Sequence, residues 1–181
     1  MSYKDLKSYQ SATIIYDLTV EFCKRYINKA SRTTDQMVQA ASSGKQNIVE
    51  GSSERSKKSE LHLLAVARAS FQELLEDYED FLRQNGLRQW KKDDAQAMAM
   101  RQLSYMSNKS YETYKSYLEN PEIAANAAIC LIHQANFLLD RQIKSLEAQF
   151  IKEGDYQEKL SKSHNEQLKK NIINGFWRKY Q

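Results

Sequence analysis

Apolar side chains recur at alternating intervals of three and four residues along almost the whole chain, and this spacing constrains the fold more than any other feature. The clearest run is Leu64, Ala67, Phe71, Leu74, Tyr78 and Phe81. Such a run forms one apolar stripe on a helix, as in the seam of a helical bundle. One proline and five glycines in 181 residues are too few for a turn-rich sandwich or barrel. The sequence therefore predicts an all-α protein.

Capping residues mark the ends of the first helices. A helix of roughly 25 residues comes first. The second helix, predicted over 35–50, has Thr33 or Thr34 as its N-cap and Gly51 as its stop. Gly44 weakens this helix but leaves room for a close neighbour.

The third helix begins at a serine N-cap and ends at a glycine. Ser56 or Ser59 is the predicted cap, and Asn85-Gly86 is the predicted end. A less regular segment follows over 87–120, where two short stripes predict two short helices: Ala95, Ala99, Gln102 and Met106, then Tyr111, Tyr114 and Leu118.

The last long helix has an unusually wide apolar face. Pro121 fits its first turn, Asn120 fits its cap, and Gly154 fits its end. Two adjacent stripes run along it: Ala128, Ile132, Ala135, Leu139, Ile143, Leu146 and Phe150, and Ala124, Ala127, Leu131 and Leu138. A face of this width indicates burial against two partners, either two helices of one bundle or one helix and a neighbouring subunit.

Cysteine usage and hydropathy favour a cytoplasmic protein. Cys23 and Cys130 lie far apart among apolar neighbours, which is typical of buried thiols in a reducing compartment. The N-terminus has no apolar signal segment. The most apolar stretch, 123–139, is interrupted by polar residues, so we expect no membrane span.

The motifs of common enzyme classes do not occur. The three histidines, His62, His133 and His164, are far apart, and no metal-binding, nucleotide-binding or nucleophile motif appears. Glu73 and Asp77 share a helix face with Asp80, which we interpret as a solvated or subunit-facing patch. We therefore expect no catalytic residue, no metal site and no cofactor.

Polar residues beside the apolar stripes leave two interpretations open. Asn47, Glu50 and Glu73 either hydrogen-bond across the bundle and fix its register or form a site, and the first interpretation is favoured.

Basic residues concentrate at the turn between the second and third helices. The candidate nucleic-acid-binding residues are Lys45, Arg55, Lys57, Lys58 and Arg68. Lysine and arginine beside a helix N-terminus can hold phosphates, because the side-chain charge and the free backbone N–H groups act together. A second concentration follows at 155–181, with six basic and three acidic residues and aromatic residues among them. The alternative interpretation of both concentrations is solvated charge, with the aromatic residues docking the tail.

The order of residues in the second and third helices resembles the 23S ribosomal RNA intervening-sequence protein family. The resemblance lies in DQMVQAASSGKQNIVEG (35–51) and RSKKSELHLLAVARASFQEL (55–74), and 121–154 is similar to the four-helix-bundle suffix region of long members. The matching positions are Asp35, Gln36, Ala40, Ser43, Asn47, Ile48, Glu50, Gly51, Arg55, Ser56, Glu60, Ala67, Ser70, Glu73 and Leu74. Two positions depart from the pattern: Gln39 replaces an arginine, and Gly44 replaces an apolar residue.

The resemblance implies an up-down four-helix bundle that assembles into a closed ring, a homopentamer in related proteins. These relatives include the accessory variability protein of diversity-generating retroelements, which binds nucleic acid and a reverse transcriptase. The resemblance implies no enzymatic activity. We therefore expect a bundle over 1–154, with an inserted segment at 87–120, and a basic helical C-terminal tail over 155–181.

Two functional hypotheses follow. In the first, a self-assembling, non-enzymatic bundle presents its basic surface to RNA or DNA, or to an enzyme that acts on nucleic acid. In the second, a structural adaptor binds helices of partner proteins through its wide apolar faces. A metal-dependent bundle enzyme is a third possibility, which a metal analysis of the purified protein tests.

Overall fold

Helices form all the regular structure in residues 2–103, 105–106, 110–153 and 160–170, the ranges that the computed structural model describes. The α-helices are α1 (Lys7–Tyr26), α2 (Arg32–Ser53), α3 (Lys57–Gln84), α4 (Ala95–Leu103), α5 (Tyr111–Tyr114) and α6 (Pro121–Glu153). Short 3-10 turns span Tyr3–Asp5 and Lys115–Glu119, and residues 160–170 are also helical. The predicted all-α fold, with short helices between the third and last long helices, is confirmed.

The four long helices pack in a ring, in the order α1, α2, α3, α6 and back to α1. Each neighbouring pair is antiparallel. Ser8 near the start of α1 donates a hydrogen bond of 2.9 Å to Gln142 near the end of α6. Arg68 in the first half of α3 contacts Asp140 in the second half of α6. The arrangement is therefore the up-down-up-down bundle that short connections between helices favour.

The start and end of α2 differ from the prediction. Ser31, not Thr33 or Thr34, is the N-cap, and its Oγ accepts a 3.2 Å hydrogen bond from the Thr33 N–H. Gly51 does not stop the helix, which continues to Ser53. A Cβ at position 51 would lie 3.4 Å from the Leu63 Cβ, so Gly51 serves close packing of α2 on α3.

Both predicted ends of α3 and the predicted start of α6 are confirmed. Ser56 caps α3, where its Oγ accepts a 3.3 Å hydrogen bond from the Ser59 N–H. The helix ends before Gly86, whose φ of +64° is a conformation that glycine adopts without strain. Pro121 is the first residue of α6, and Asn120 Oδ1 accepts a 3.1 Å hydrogen bond from the Ile123 N–H.

The core lies inside the ring of four helices and includes one satisfied polar contact. The buried Tyr78 hydroxyl donates to Thr19 Oγ1 at 3.0 Å, and Thr19 donates to the Ile15 carbonyl at 2.7 Å. Gly44 lies against the Phe71 ring, where a Cβ would come within 2.6 Å of Phe71 Cζ. This close contact explains a glycine in the middle of α2.

The wide apolar face of α6 is buried within the chain. It packs against α1 and α3, and α4 and the 3-10 turn Lys115–Glu119 cover it from outside. By length and composition alone, α6 could cross a membrane, but most of its apolar stretch is buried in the bundle, as in the core helix of a globular protein.

The short helices of the inserted segment exist, but α4 presents a different face from the predicted one. Ala97 and Met100 are buried, whereas Ala95, Ala99 and Gln102 are exposed and Met106 is 53% exposed. The second short stripe is confirmed, because Tyr114 and Leu118 are both buried. In the C-terminal tail, residues 160–170 form an exposed helix. Gly154 and the aromatic residues near the C-terminus lie outside the described residues.

Candidate nucleic-acid interface

Three of the predicted basic residues lie together at the turn between α2 and α3. Arg55 is in the turn itself, and Lys57 and Lys58 are the first two residues of α3 because Ser56 caps that helix. Arg55 and Lys58 are exposed, and Lys57 is half-buried. Burial raises the pKa of nearby Glu60, and the positive charge of Lys57 opposes this rise. The turn therefore places three cations, with Glu54 and Glu60 on either side of them, beside the partial positive charge of the helix N-terminus.

Lys45 lies away from this turn, on the side of α2 that faces α1. Its Nζ is 4.0 Å from the centroid of the Tyr16 ring, a cation–π contact between the two helices. It precedes Ser53, the last residue of α2, by eight residues, or about 12 Å along the helix axis.

Arg68 lies on the opposite flank of the bundle, where α3 meets α6. Its Nε donates to Asp140 Oδ1 at 2.6 Å, and both side chains are about two-fifths exposed, at 41% and 43%. Arg68 follows Lys57 by eleven residues, or about 16 Å along α3. The structure thus brings Arg55, Lys57 and Lys58 together and places Lys45 and Arg68 on separate flanks, each in a contact within the chain.

The acidic residues form a groove on the face of α2 and α3. The groove has a volume of about 510 Å³, and its acidic lining residues are Glu73, Glu76, Asp77 and Asp80. Burial, and then repulsion from Asp80, Glu73 and Glu76, raise the pKa of Asp77. Among the described residues, no group of three or more His, Cys, Asp or Glu side chains could hold a metal ion.

A pair of serines makes the polar contact between α2 and α3 beside this groove. The hydroxyls of Ser43 and Ser70 lie 3.0 Å apart, and Asn47 Nδ2 donates to the Ser43 carbonyl at 2.8 Å. Glu50 and Glu73 are exposed. The expectation that Asn47, Glu50 and Glu73 hydrogen-bond across the bundle was therefore wrong. Asn47 bonds within α2, and the serine pair makes the contact between the helices.

Gln39 also lines the acidic groove, at the position where the family pattern has an arginine. Replacing Gln39 with arginine is expected to raise the free energy of unfolding by about 0.5–1 kcal/mol at pH 7, because a cation then faces several carboxylates. In the unmodified protein the pKa of Asp77 is raised, so its charged form lowers the stability of the folded state. This loss of stability is present at neutral pH and disappears as Asp77 becomes protonated at lower pH.

Chemical denaturation of Gln39→Arg and the unmodified protein between pH 4 and pH 8 measures this effect. The gain should be largest at neutral pH and should disappear as the carboxylates become protonated. Gln39→Glu is the matched control at the same position and should lower the stability. Equal stabilities of the two variants at pH 7 would show that the groove does not respond to charge.

One concentration of basic residues was not predicted from the sequence. Its members come from α1, the segment after α3, α4 and α6, and they line a cleft on the face of α1 and α6: Lys7, Lys91, Lys92, Arg101 and Arg141. Because they are dispersed along the chain, only the packing of α4 and residues 89–92 on α6 brings them together. No local sequence signal could have identified this group.

The fold defines a helical-bundle protein of the up-down type, with Arg55, Lys57 and Lys58 grouped at the turn between α2 and α3. The chain belongs to the 23S rRNA-intervening sequence protein family, whose model matches residues 4–101. The match covers α1, α2, α3 and most of α4, and α6 lies beyond it. No curated protein and no solved structure matches the chain.

Proposed function

We propose that this protein is a non-enzymatic, self-assembling helical bundle in the cytoplasm that presents a basic surface to RNA or DNA, or to an enzyme that acts on nucleic acid. The observation that carries the proposal is the grouping of Arg55, Lys57 and Lys58 at the N-terminus of α3. A phosphate there meets side-chain cations and the positive end of a 28-residue helix at once. Binding of this kind depends on phosphate charge and does not read bases.

Lys45 and Arg68 extend this surface along the two flanks of the bundle. Each can bind a phosphate only by giving up or sharing its present partner, the Tyr16 ring or the Asp140 carboxylate. We assign the main phosphate contacts to the turn, because three cations are grouped there, and secondary contacts to these two side chains.

Self-assembly is the second part of the proposal. It is supported by the resemblance to ring-forming relatives and by the separation of charge, with the acidic groove on the face of α2 and α3 and cations on the face of α1 and α6. Copies of one chain with opposite charges on different faces attract one another. The alternative of an adaptor for partner helices is less well supported, because α1, α3 and the inserted segment cover the wide apolar face of α6.

Charge reversal at the turn tests the nucleic-acid part. The double variant Lys57→Glu/Lys58→Glu is expected to bind RNA and DNA at least about tenfold more weakly at low salt. It should also flatten the dependence of the logarithm of the binding constant on the logarithm of salt concentration by about two units. Both quantities come from titrations of purified protein across salt concentrations, with the mass in solution recorded alongside.

The matched control is Lys24→Glu/Lys29→Glu, which makes the same change of charge at the opposite end of the bundle, where both lysines are exposed. A nonspecific effect of net charge would weaken binding equally in both double variants and would count against the turn. Absence of binding by the unmodified protein at low salt would refute the nucleic-acid part, and a monomeric mass would refute self-assembly.

A further inference from the structure

A cleft of about 570 Å³ lies on the face of α1 and α6, where residues 89–92 and α4 form its outer wall. Its volume is within the range of roughly 300–1,000 Å³ that is typical of small-molecule sites. Ser11 of α1 and Ile129, Cys130 and Leu138 of α6 contribute to its lining. Arg55, Lys57 and Lys58, which carry the nucleic-acid part of the proposed function, do not line this cleft, whereas its cations are the ones that support self-assembly.

The charge of the cleft favours an anion. Five cationic side chains surround it: Lys7, Lys91, Lys92, Arg101 and Arg141. None of its described lining residues is acidic. Two acids, Asp93 and Asp94, follow Lys92 on the outer wall but do not line the cleft. Asp94 already accepts bonds from the Arg88 side chain at 2.7 Å and the Lys91 N–H at 2.9 Å. Because a concave surface concentrates the field of its own charges, the potential inside the cleft is positive.

Arg101 is held at the edge of the cleft by the chain itself. Its guanidinium donates to the Lys92 carbonyl, which joins α4 to the segment before it. Burial raises the pKa of the Cys130 thiol, and the positive charge of Arg101 opposes that rise. Arg101 therefore lies close to the lining formed by α6.

Aromatic rings lie among these cations. Trp90, Tyr105 and Phe137 line the cleft, and Phe137 and Tyr105 are 61% and 88% exposed. The Arg141 guanidinium carbon lies 5.9 Å from the centroid of the Phe137 ring. The backbone of Trp90 is fixed, because its N–H donates to Asn126 Oδ1 at 2.7 Å. Exposed rings beside cations are the two elements with which proteins bind bases and phosphates together.

We propose that this cleft binds a nucleotide, with its phosphate held by the cations and its base stacked on the exposed Phe137 ring or on Trp90. The nucleotide is either a free molecule or one unit of a single strand, since both present the same chemistry. An apolar partner helix does not fit a wall with five cations. The chain's own tail over 155–181 does not fit the cleft either, because the tail is also positively charged, with six basic and three acidic residues.

Tryptophan fluorescence gives a local readout of binding. The chain has two tryptophans, so Trp177→Phe leaves Trp90 as the only one. In this background, adenosine monophosphate and a short single-stranded oligoadenylate are the two probes. We expect saturable quenching of the Trp90 emission. Quenching by both probes identifies a free-nucleotide site, and quenching by the oligoadenylate alone identifies a single-strand site. Quenching by neither probe overturns the proposal.

Two variants, each in the Trp177→Phe background, then test the residues. Phe137→Ala and Arg141→Glu are each expected to weaken binding of the quenching probe by about fivefold to a hundredfold, from lost stacking or lost charge. The matched controls on the same helix are Ile151→Ala, an exposed apolar side chain, and Lys144→Glu, an exposed cation, neither of which lines the cleft. Because Phe137 and Arg141 are exposed, the variants should keep the helical content measured by circular dichroism. Equal binding by variants and controls overturns the proposal.

The two proposals can fail separately. Lys57→Glu/Lys58→Glu should leave quenching by adenosine monophosphate unchanged, because the turn does not line the cleft. If long RNA and DNA do not bind at all, the proposed function fails, while quenching of Trp90 by the mononucleotide would still support the cleft.

Discussion

Replacing Phe22 with alanine is expected to lower the free energy of unfolding by about 3–5 kcal/mol. The Phe22 side chain is 1% exposed, and its ring makes edge-to-face contacts with three others. The centroid distances are 5.3 Å to Tyr26, 4.9 Å to Tyr78 and 4.9 Å to Phe81. Each such pair adds to the free energy gained from burial alone. The truncation therefore removes a buried ring and weakens the contact of α1 with α3.

The midpoint and slope of urea-induced unfolding measure this effect. Phe137→Ala is the matched control, since it makes the same chemical change at a ring that is 61% exposed, and its cost should be below about 0.5 kcal/mol. Similar costs for the two variants would contradict the assignment of Phe22 to the core. A fall in the slope together with the midpoint would indicate loss of two-state unfolding.

Replacing Asn126 with alanine is expected to lower the free energy of unfolding by about 2–4 kcal/mol, the second large effect. Asn126 is 1% exposed, and its side chain joins the segment after α3 to α6. Oδ1 accepts from the Trp90 N–H at 2.7 Å, and Nδ2 donates to the carbonyls of Arg88 at 2.8 Å and Glu122 at 2.9 Å. The substitution removes the side-chain partner of the Trp90 N–H and the Arg88 carbonyl, at about 1–3 kcal/mol for each group left unpaired, whereas the Glu122 carbonyl keeps its bond within α6.

Asn136→Ala is the control for this prediction. Asn136 lies on the same helix and is 7% exposed, but among the described residues its buried Oδ1 has no hydrogen-bond partner. Its removal should cost much less in the same urea titration. Trp90 emission in the Trp177→Phe background should shift to longer wavelength in Asn126→Ala only, as the segment leaves α6. Equal costs without that shift would mean that Asn126 does not anchor the segment.

Long periodic helices could be predicted from the sequence because their apolar stripes repeat over many turns. The spacing along α3 and α6 identified most of their buried residues, and Pro121 identified the start of α6. The start of α3 was predicted to within three residues, since Ser56 and Ser59 were both candidate caps and the structure selects Ser56. This periodicity and the scarcity of glycine and proline were sufficient to predict the all-α class.

Short-range signals failed where several residues could perform the same role. Ser31, Thr33 and Thr34 all have a hydroxyl that can cap a helix, and only the structure selects Ser31. Gly51 resembles a helix stop, but packing against α3 keeps it inside α2. In α4, alanines on several sides carry no information about which side is buried, so the predicted face was wrong.

The candidate interface was predictable only in part. Arg55, Lys57 and Lys58 are neighbours in the sequence, so their closeness in the fold could be predicted without knowing the packing of the helices. The separation of Lys45 and Arg68 onto two flanks depends on which helix each residue faces, and this depends on the order of helices around the ring. The cleft depends entirely on tertiary packing, since its cations come from distant segments.

The lengths of the connections between helices also determine how the entropic cost of folding is distributed. Residues 27–31 and 54–56 connect the first three long helices, whereas residues 85–120 separate α3 from α6. Loop closure costs about 0.6 kcal/mol more for each doubling of length, so bringing α6 to the others is the most expensive closure. Contacts within α1, α2 and α3 are local by comparison and form faster. We therefore expect α1, α2 and α3 to assemble first and α6 to dock afterwards. In this order the chain loses the least conformational entropy before its core forms.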